Sequence, residues 1–309
     1  MRLAVTAFMV ACITGLSSAE DRELPPVFVH EWGVLSLAGP DFSFSGSPFA
    51  PVPVPEPDGM MMRAPVLYFH GPEFTGTVTV RTDNGVISHV YPEASDGSVG
   101  SGFCSWTGSF GYDSDDSSLR GMAAPIEDRR APFPLPRWPY HLWRTGESMT
   151  VTTFSATESF LYYETAPDDL GFLPCSRGGQ PVSEEWGQVP AIVLTLSETG
   201  LLFAECSLGD TPGPGDEAFM PMTPDLIHRT LRQWSRNVID IEEVDALWNT
   251  WAEWFSGGFT EGGSYPRGIL LYPIPESLLS NLSTIEVFPD GPSQYPTRAK
   301  RLILAAVPL

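Results

Sequence analysis

The stretch PVFVHEWGVLSL, residues 26–37, places an imidazole beside a carboxylate at His30 and Glu31. Such a pair could act as a general base or as ligands of a metal ion. Neighbouring side chains of a β-strand point to opposite faces, so the two cannot chelate one ion together unless a bulge intervenes. Chemistry at His30 would therefore need partners from another strand, and His70 and Glu73 are the candidates. The alternative is that His30 is a hydrogen-bonded residue that fixes the strand register.

A second group of possible ligands is the acidic run YDSDDSS, which holds Asp113, Asp115 and Asp116. A calcium loop of the EF-hand type needs glycine at its sixth position and glutamate at its twelfth. Ser118 and Ala124 stand at these positions. The run is therefore interpreted as a solvated acidic loop, with a calcium site as the alternative.

Aromatic side chains suggest a different kind of site in the segment RWPYHLWR. It combines Trp138, Tyr140, His141 and Trp143 in a chain that is short of basic residues, and such rings could stack against a sugar. Packing of the same rings against the protein core is the alternative.

Familiar catalytic motifs are absent from the sequence. It contains no Gly-x-Ser-x-Gly nucleophile elbow, no phosphate-binding Gly-x-x-x-x-Gly-Lys loop and no His-Glu-x-x-His zinc motif. We therefore predict no cofactor and lean towards a protein that is not an enzyme.

Composition limits the partners of the chain. The formal net charge of −21 disfavours binding to nucleic acid or to anionic lipid. A hydrophobic content of 42% and an aromatic content of 12% favour a packed globule over a disordered acidic tail.

The first nineteen residues, MRLAVTAFMVACITGLSSA, have the pattern of a signal peptide, with one arginine, an apolar stretch and small residues before the cleavage site. This pattern predicts export to the periplasm or the extracellular space. A lipoprotein anchored at Cys12, within MVAC, is the alternative. No later run is long enough to span a bilayer, so the mature chain is expected to have no transmembrane segment.

Three cysteines follow the signal, and an oxidising compartment would allow one pair of them to form a disulfide. Cys175 with Cys206 is our tentative choice because these two flank a pair of predicted strands. Three pairings are open, and the sequence does not decide among them; the third cysteine is Cys104.

Hydrophobic periodicity predicts an α+β fold: a mainly antiparallel, sandwich-like β body with a helical pair inserted in the C-terminal third. Strands are expected at 66–70, 77–82 and 86–91 as an antiparallel meander, and residues 94–136 as an irregular excursion. A hairpin turns at 197–200. Thr223 and Pro224 begin the first helix, and DIEEVDALWNTWAEWF forms the second, with its acidic residues favoured by the helix dipole.

The predicted organisation is a signal peptide at 1–19, a β-rich domain at 20–222, and a C-terminal part at 223–309 packed on it.

Several blocks taken in order resemble an uncharacterised family of exported bacterial proteins that opens with a His-Glu-Trp-Gly motif. These blocks are VHEWGVLSL, MRAPVLYFHGPEFTGTVTVRTDNGVISHVYPEA, ESFLYYE and LWNTWAEWFSGGFTEGGSYPRGILLYPIPESLLSNL. The resemblance implies export and a shared architecture, and it carries no activity.

Our expectation from the sequence is an exported protein that binds a ligand or a protein partner of the cell envelope without catalysis. The alternative is a metal-assisted hydrolase that uses His30, Glu31 and His70.

Overall fold

A computed structural model describes residues 24–37, 60–112, 140–168, 171, 173–174, 183–198, 200–213, 215–255, 268–291 and 295–309. They form three layers: a nine-stranded sheet, a six-stranded sheet packed on one of its faces, and three helices on the other face. A fourth, short helix contributes Leu279 to the core between the two sheets. In this part of the chain, no helix has the length and apolar composition needed to span a membrane.

The strands of the nine-stranded sheet, in spatial order, are β12 (Met220–Pro221), β11 (Gly200–Ser207), β10 (Pro190–Ser197), β13 (Gly268–Pro273), β15 (Thr297–Pro308), β1 (Val27–Leu37), β2 (Met60–His70), β9 (Leu161–Pro167) and β4 (Gly85–Tyr91). Those of the six-stranded sheet are β14 (Thr284–Pro289), β3 (Phe74–Arg81), β6 (Phe103–Gly111), β7 (Thr150–Thr153) and β8 (Thr157–Glu158), with β5 (Asp96–Gly97) beside β6. The helices are α1 (Tyr140–Trp143), α2 (Pro224–Trp234), α3 (Ile241–Phe255) and α4 (Glu276–Leu279), and a 3-10 turn spans Glu184–Trp186.

Strand β1 lies in the interior of the larger sheet, next to the central strand β15, to which it is parallel, and antiparallel to β2 on its other side. Alternation along β1 sends Val29 into the core between the two sheets and Trp32 into the core under the helices. A register shift between Trp32 and Val34 marks a bulge in the β1–β2 pairing. The bulge lies beyond His30 and Glu31, so these neighbours keep opposite faces.

The predicted α+β class, with a sandwich-like, mainly antiparallel body and a helical pair in the C-terminal third, is confirmed. The hairpin is confirmed as well, since Ser197 of β10 lies opposite Gly200 of β11. Helix α2 begins with Thr223 as N-cap and Pro224 as its first residue, as the sequence predicts.

The predicted meander is wrong, although its three strands exist. β2 and β4 belong to the nine-stranded sheet, whereas β3 lies in the six-stranded sheet between β14 and β6. The chain changes sheets at Gly71, where the backbone has a φ of 107°. A Cβ atom at this position would lie 2.5 Å from the carbonyl oxygen of Pro26, which explains the glycine.

The part of the expected irregular excursion 94–136 that the structure describes, residues 94–112, contains β5 and β6, and residues 113–136 lie outside the described residues. Cys104, Trp106 and Phe110 share the buried face of β6. The intervening serine and glycine residues resemble a loop, so the alternation of buried residues in β6 is difficult to recognise in the sequence.

The C-terminal part is built into the body of the fold. β13 and β15 are interior strands of the larger sheet, and β14 pairs with β3 of the smaller one. Each of the two sheets therefore contains strands from before and from after position 222.

Candidate metal centre

Two histidines meet on the face of the sheet that the helices cover. His30 lies on β1 opposite Tyr68 of β2, and His70 ends β2 opposite Phe28. His30 and His70 are therefore diagonal neighbours of an antiparallel pair, within reach of each other's side chains. Their ring centroids are 4.4 Å apart.

Two carboxylates reach the same place from the start of α3. Asp240 directly precedes the helix, and Glu243 lies in its first turn. The backbone N–H of Asp240 donates to Glu243 Oε2 at 2.9 Å, which is the return bond of a capping box. Buried Val244 and Leu247 anchor the helix on the sheet. Helix capping and packing therefore fix the carboxylate of Glu243 and place Asp240 beside it.

Glu243 joins the two histidines directly. Its Oε2 lies 2.9 Å from His30 Nδ1, and its Oε1 lies 2.8 Å from His70 Nε2. Asp240 Oδ2 lies farther away, 4.0 Å from His30 Nδ1 and 3.8 Å from His70 Nε2. Each of the four residues offers one ligand atom, and these atoms all lie within 4.8 Å of one another.

These separations are close to those of a metal site. Metal–nitrogen and metal–oxygen bonds of ~2.0–2.2 Å place the ligand atoms of a tetrahedral site ~3.3–3.6 Å apart. The contacts to Glu243 are shorter than this, as hydrogen bonds are, and the contacts to Asp240 are longer. Shifts of about half an ångström would convert the hydrogen-bonded cluster into a coordination sphere.

The electrostatics of the cluster favour an ionised Glu243. Burial alone would raise the pKa of this carboxyl, but the hydrogen bonds from His30 and His70 and the charges of these rings outweigh burial and lower the pKa. An ionised carboxylate only accepts hydrogen bonds, so His30 Nδ1 and His70 Nε2 are the donors. A metal ion that binds these two nitrogens would take the place of their protons.

Burial differs across the cluster and gives it one open side. The side chains of Glu243, His30 and His70 are 1%, 6% and 14% exposed, whereas that of Asp240 is 44% exposed. An ion would enter from solvent past Asp240, the ligand that lies farthest from the others.

Glu31 takes no part in this cluster. It projects from the opposite face of β1, where its carboxylate accepts hydrogen bonds from Tyr163 and Arg301. Glu73 is also elsewhere and accepts a hydrogen bond from the backbone N–H of Tyr112. The structure therefore brings together His30 and His70 of the sequence-based candidates and separates Glu31 from them.

The aromatic candidates of RWPYHLWR are divided. Tyr140 and Trp143 lie buried in the core beneath the helices, and the indole N–H of Trp143 donates to Thr250 at 2.9 Å. His141 is exposed, and Trp138 lies outside the described residues. These placements agree with the packing alternative for Tyr140 and Trp143.

Other sequence-based candidates lie outside the described residues: Asp113, Asp115, Asp116 and Cys175. The calcium alternative and the pairing of Cys175 with half-buried Cys206 stay predictions.

Reasoning from the sequence missed Asp240 and Glu243 as ligands. They stand out as a helix start, with an acidic residue at the N-cap and glutamate three residues later. Glu243 is 213 positions from His30, so their contact follows from tertiary structure alone.

No family model, no curated protein and no solved structure matches this chain.

Proposed function

We propose that the protein is an exported protein that binds one divalent transition-metal ion through His30, His70, Asp240 and Glu243. The observation that carries the proposal is the convergence of two imidazoles and two carboxylates, from β1, β2 and the start of α3, within 4.8 Å. The predicted signal at residues 1–19 supports export. The sequence predicts that the protein binds a ligand, and we propose that this ligand is a metal ion.

The donor set narrows the choice of metal. Two imidazole nitrogens and two carboxylate oxygens suit Zn²⁺, Fe²⁺ and Mn²⁺, and the set lacks the thiolates that select Cu⁺. The capping bond from Asp240 to Glu243 orients one carboxylate, as outer hydrogen bonds do for ligands in metal sites. We expect Zn²⁺ to bind, and we choose it as the first probe.

Metal-assisted hydrolysis is a second candidate function, and the exposure of Asp240 favours it. A closed site of four protein ligands serves structure, whereas three ligands and a bound water serve catalysis. The half-exposed and distant Asp240 could leave a position to water. Zinc would then lower the pKa of this water to about 7.

Metal analysis tests the main proposal. Protein purified without chelators is analysed by mass spectrometry for bound metals, and the metal-free protein is titrated with zinc in a calorimeter. We expect one ion per chain and a loss of affinity of more than about 100-fold in His30→Ala. His228→Ala is the matched control, because His228 also hydrogen-bonds a carboxylate, that of Asp245 at 2.8 Å, away from the cluster.

Each outcome bears on one of the candidates. A folded wild-type chain that takes up no zinc, iron or manganese would contradict the metal site, as would equal affinities in the two histidine variants. Hydrolysis is assayed with nitrophenyl acetate and nitrophenyl phosphate on the zinc-loaded protein. Turnover that His30→Ala leaves unchanged would remove the hydrolase candidate while the metal site stands.

A further inference from the structure

Lys300 is the only lysine in the 309 residues of the chain. It lies on β15 directly beside His30 in the parallel pairing with β1. Paired residues of adjacent strands lie ~4.8 Å apart and project to the same face of a sheet. The single lysine is therefore the neighbour of a candidate metal ligand.

The ammonium group lies at the same end of this face as the metal cluster. Lys300 Nζ is 5.0 Å from the centroid of the Phe28 ring, and Phe28 lies opposite His70 in the β1–β2 register. Arg298 pairs with Phe28 on the other side, so it adds a second cation to this end of the face. The ring of Phe28 supports the ammonium through a cation–π contact.

Both cations lack a carboxylate partner within the described part of the chain. The ion pairs found there involve neither Lys300 nor Arg298. The nearby Asp240 and Glu243 face the histidines instead.

We propose that Lys300 is the anchor for an anionic oxygen ligand, a phosphate or carboxylate group, that also reaches the metal ion at His30, His70, Asp240 and Glu243. This inference rests on the proposed metal centre. The metal would bind one oxygen of the ligand in the position that the half-exposed Asp240 leaves when it does not coordinate, and the ammonium would bind another. Lysine is a common phosphate-binding residue that acts as a compact point charge.

Calorimetry of the zinc-loaded protein tests the proposal with inorganic phosphate and with acetate as separate probes. Lys300→Met removes the charge and keeps an apolar side chain on Phe28. Its affinity for the bound oxyanion should fall by about tenfold or more, as for loss of a hydrogen bond to a charged group. Arg81→Met is the matched control, because it removes one positive charge from the other sheet, where Arg81 is half-exposed and paired with Glu286.

Zinc binding is measured first on every variant, which separates the two proposals. Lys300→Met should keep the wild-type zinc affinity or bind zinc more tightly, since a neighbouring positive charge is gone. A wild-type chain that binds no zinc contradicts the metal centre and this inference together. A chain that binds zinc but neither anion, or an anion equally well in both charge variants, overturns this inference alone.

The single lysine permits a second measurement that needs no variant. The N-hydroxysuccinimide ester of propionic acid acylates the deprotonated amine of Lys300, with release of N-hydroxysuccinimide, and peptide mass spectrometry reads the modified fraction. Phosphate or acetate should protect Lys300 in the zinc-loaded protein and leave it reactive in the metal-free protein. Equal reactivity of the zinc-loaded protein without anion, with phosphate and with acetate would contradict the proposal, and protection by one anion identifies the preferred ligand chemistry.

Discussion

The two faces of β1 carry two polar clusters of opposite character. His30 faces the helices and meets Glu243, His70 and Asp240, whereas Glu31 faces the second sheet. The two residues are neighbours in the chain, and the alternation of the strand alone separates them.

The Glu31 cluster is a closed network. Its carboxylate accepts hydrogen bonds from Tyr163 and Arg301, and Tyr163 also contacts Ser283 at 2.8 Å. Arg301 donates further hydrogen bonds to the backbone oxygens of Leu279 and Ser283. Burial would lower the pKa of Arg301, but the charge of Glu31 outweighs it and the pKa is raised. This cluster holds β1, β9, β15 and the segment after α4 together.

The His30 cluster differs in two ways. Its side-chain atoms converge on one point, and one side of the cluster is open to solvent. Two imidazoles converge on Glu243, and Asp240 lies beside them with 44% of its side chain exposed. A fully paired buried network stabilises a fold, whereas convergent ligand atoms with access to solvent can bind an ion. Burial and hydrogen bonding alone therefore do not identify a functional site; the geometry of the ligand atoms and their access to solvent do.

Loss of the charge of Glu31 should lower the free energy of unfolding more than any other change proposed below. Glu31→Gln leaves the guanidinium of Arg301 buried without its counter-ion, which destabilises a protein by about 3–5 kcal/mol. Urea unfolding followed by tryptophan fluorescence measures the change. A loss below about 1 kcal/mol would contradict the structural role that we assign to this cluster.

Binding of zinc should have the next largest effect on the free energy of unfolding. A ligand at 100 times its dissociation constant stabilises the folded state by about 2.7 kcal/mol. We expect this gain in the wild type. Glu31→Gln should gain the same amount, although it is less stable than the wild type without zinc. His30→Ala should gain nothing. Urea unfolding with and without zinc tests it. A gain that survives in His30→Ala would place the metal elsewhere.

Glu243 should give the metal-free protein a dependence on pH. Its pKa in the folded state is lowered from the ordinary value of 4.5, so the ionised carboxylate stabilises the fold above that value. This stabilisation is lost as the pH falls through the folded-state pKa. Glu243→Gln should cost about 2 kcal/mol at neutral pH, as for loss of hydrogen bonds to a charged group.

Thermal unfolding of wild type and Glu243→Gln between pH 3 and pH 7 provides the measurement. The difference between the two proteins should shrink towards the acid end of the range, roughly below the ordinary carboxyl pKa. A difference that stays constant over the whole range would argue against an ionised Glu243 in the fold.

The smallest effect is expected at His228, on α2. Its ring hydrogen-bonds the half-exposed Asp245, which Arg232 also contacts at 2.7 Å. His228 is 22% exposed and its partner Asp245 is 40% exposed, so solvent screens the pair. Such surface pairs contribute about 0–1 kcal/mol, and His228→Ala, which also removes a ring stacked on Trp248, should cost less than Glu243→Gln and leave zinc binding intact. A variant that loses zinc would contradict the location of the metal centre.

Local patterns predicted much of the fold. The capping signal at Thr223 and Pro224 and the periodic apolar residues of α3 gave two helices, because these signals act within one element. These local signals do not predict which distant strands pair. The parallel contact of β1 with β15 joins residues about 270 positions apart, and no local pattern encodes it.

Only the two histidines of the candidate site could be predicted, because local patterns do not show which distant residues meet. His30 stood out as a polar residue in an apolar strand, and alternation correctly separated it from Glu31. Asp240 and Glu243 were visible only as the acidic start of a helix, which explains their residue types without a metal. Their role follows from where α3 packs on the sheet, and that depends on the whole core.

X-ray absorption at the zinc edge identifies the atoms that bind the metal ion. Spectra of the zinc-loaded wild-type protein should show nitrogen and oxygen neighbours at ~2.0–2.2 Å, no sulfur, and the outer-shell scattering of two imidazole rings. His30→Ala should lose one imidazole or all bound zinc. A spectrum with sulfur ligands, or one without imidazole scattering, would contradict a metal centre built on His30 and His70.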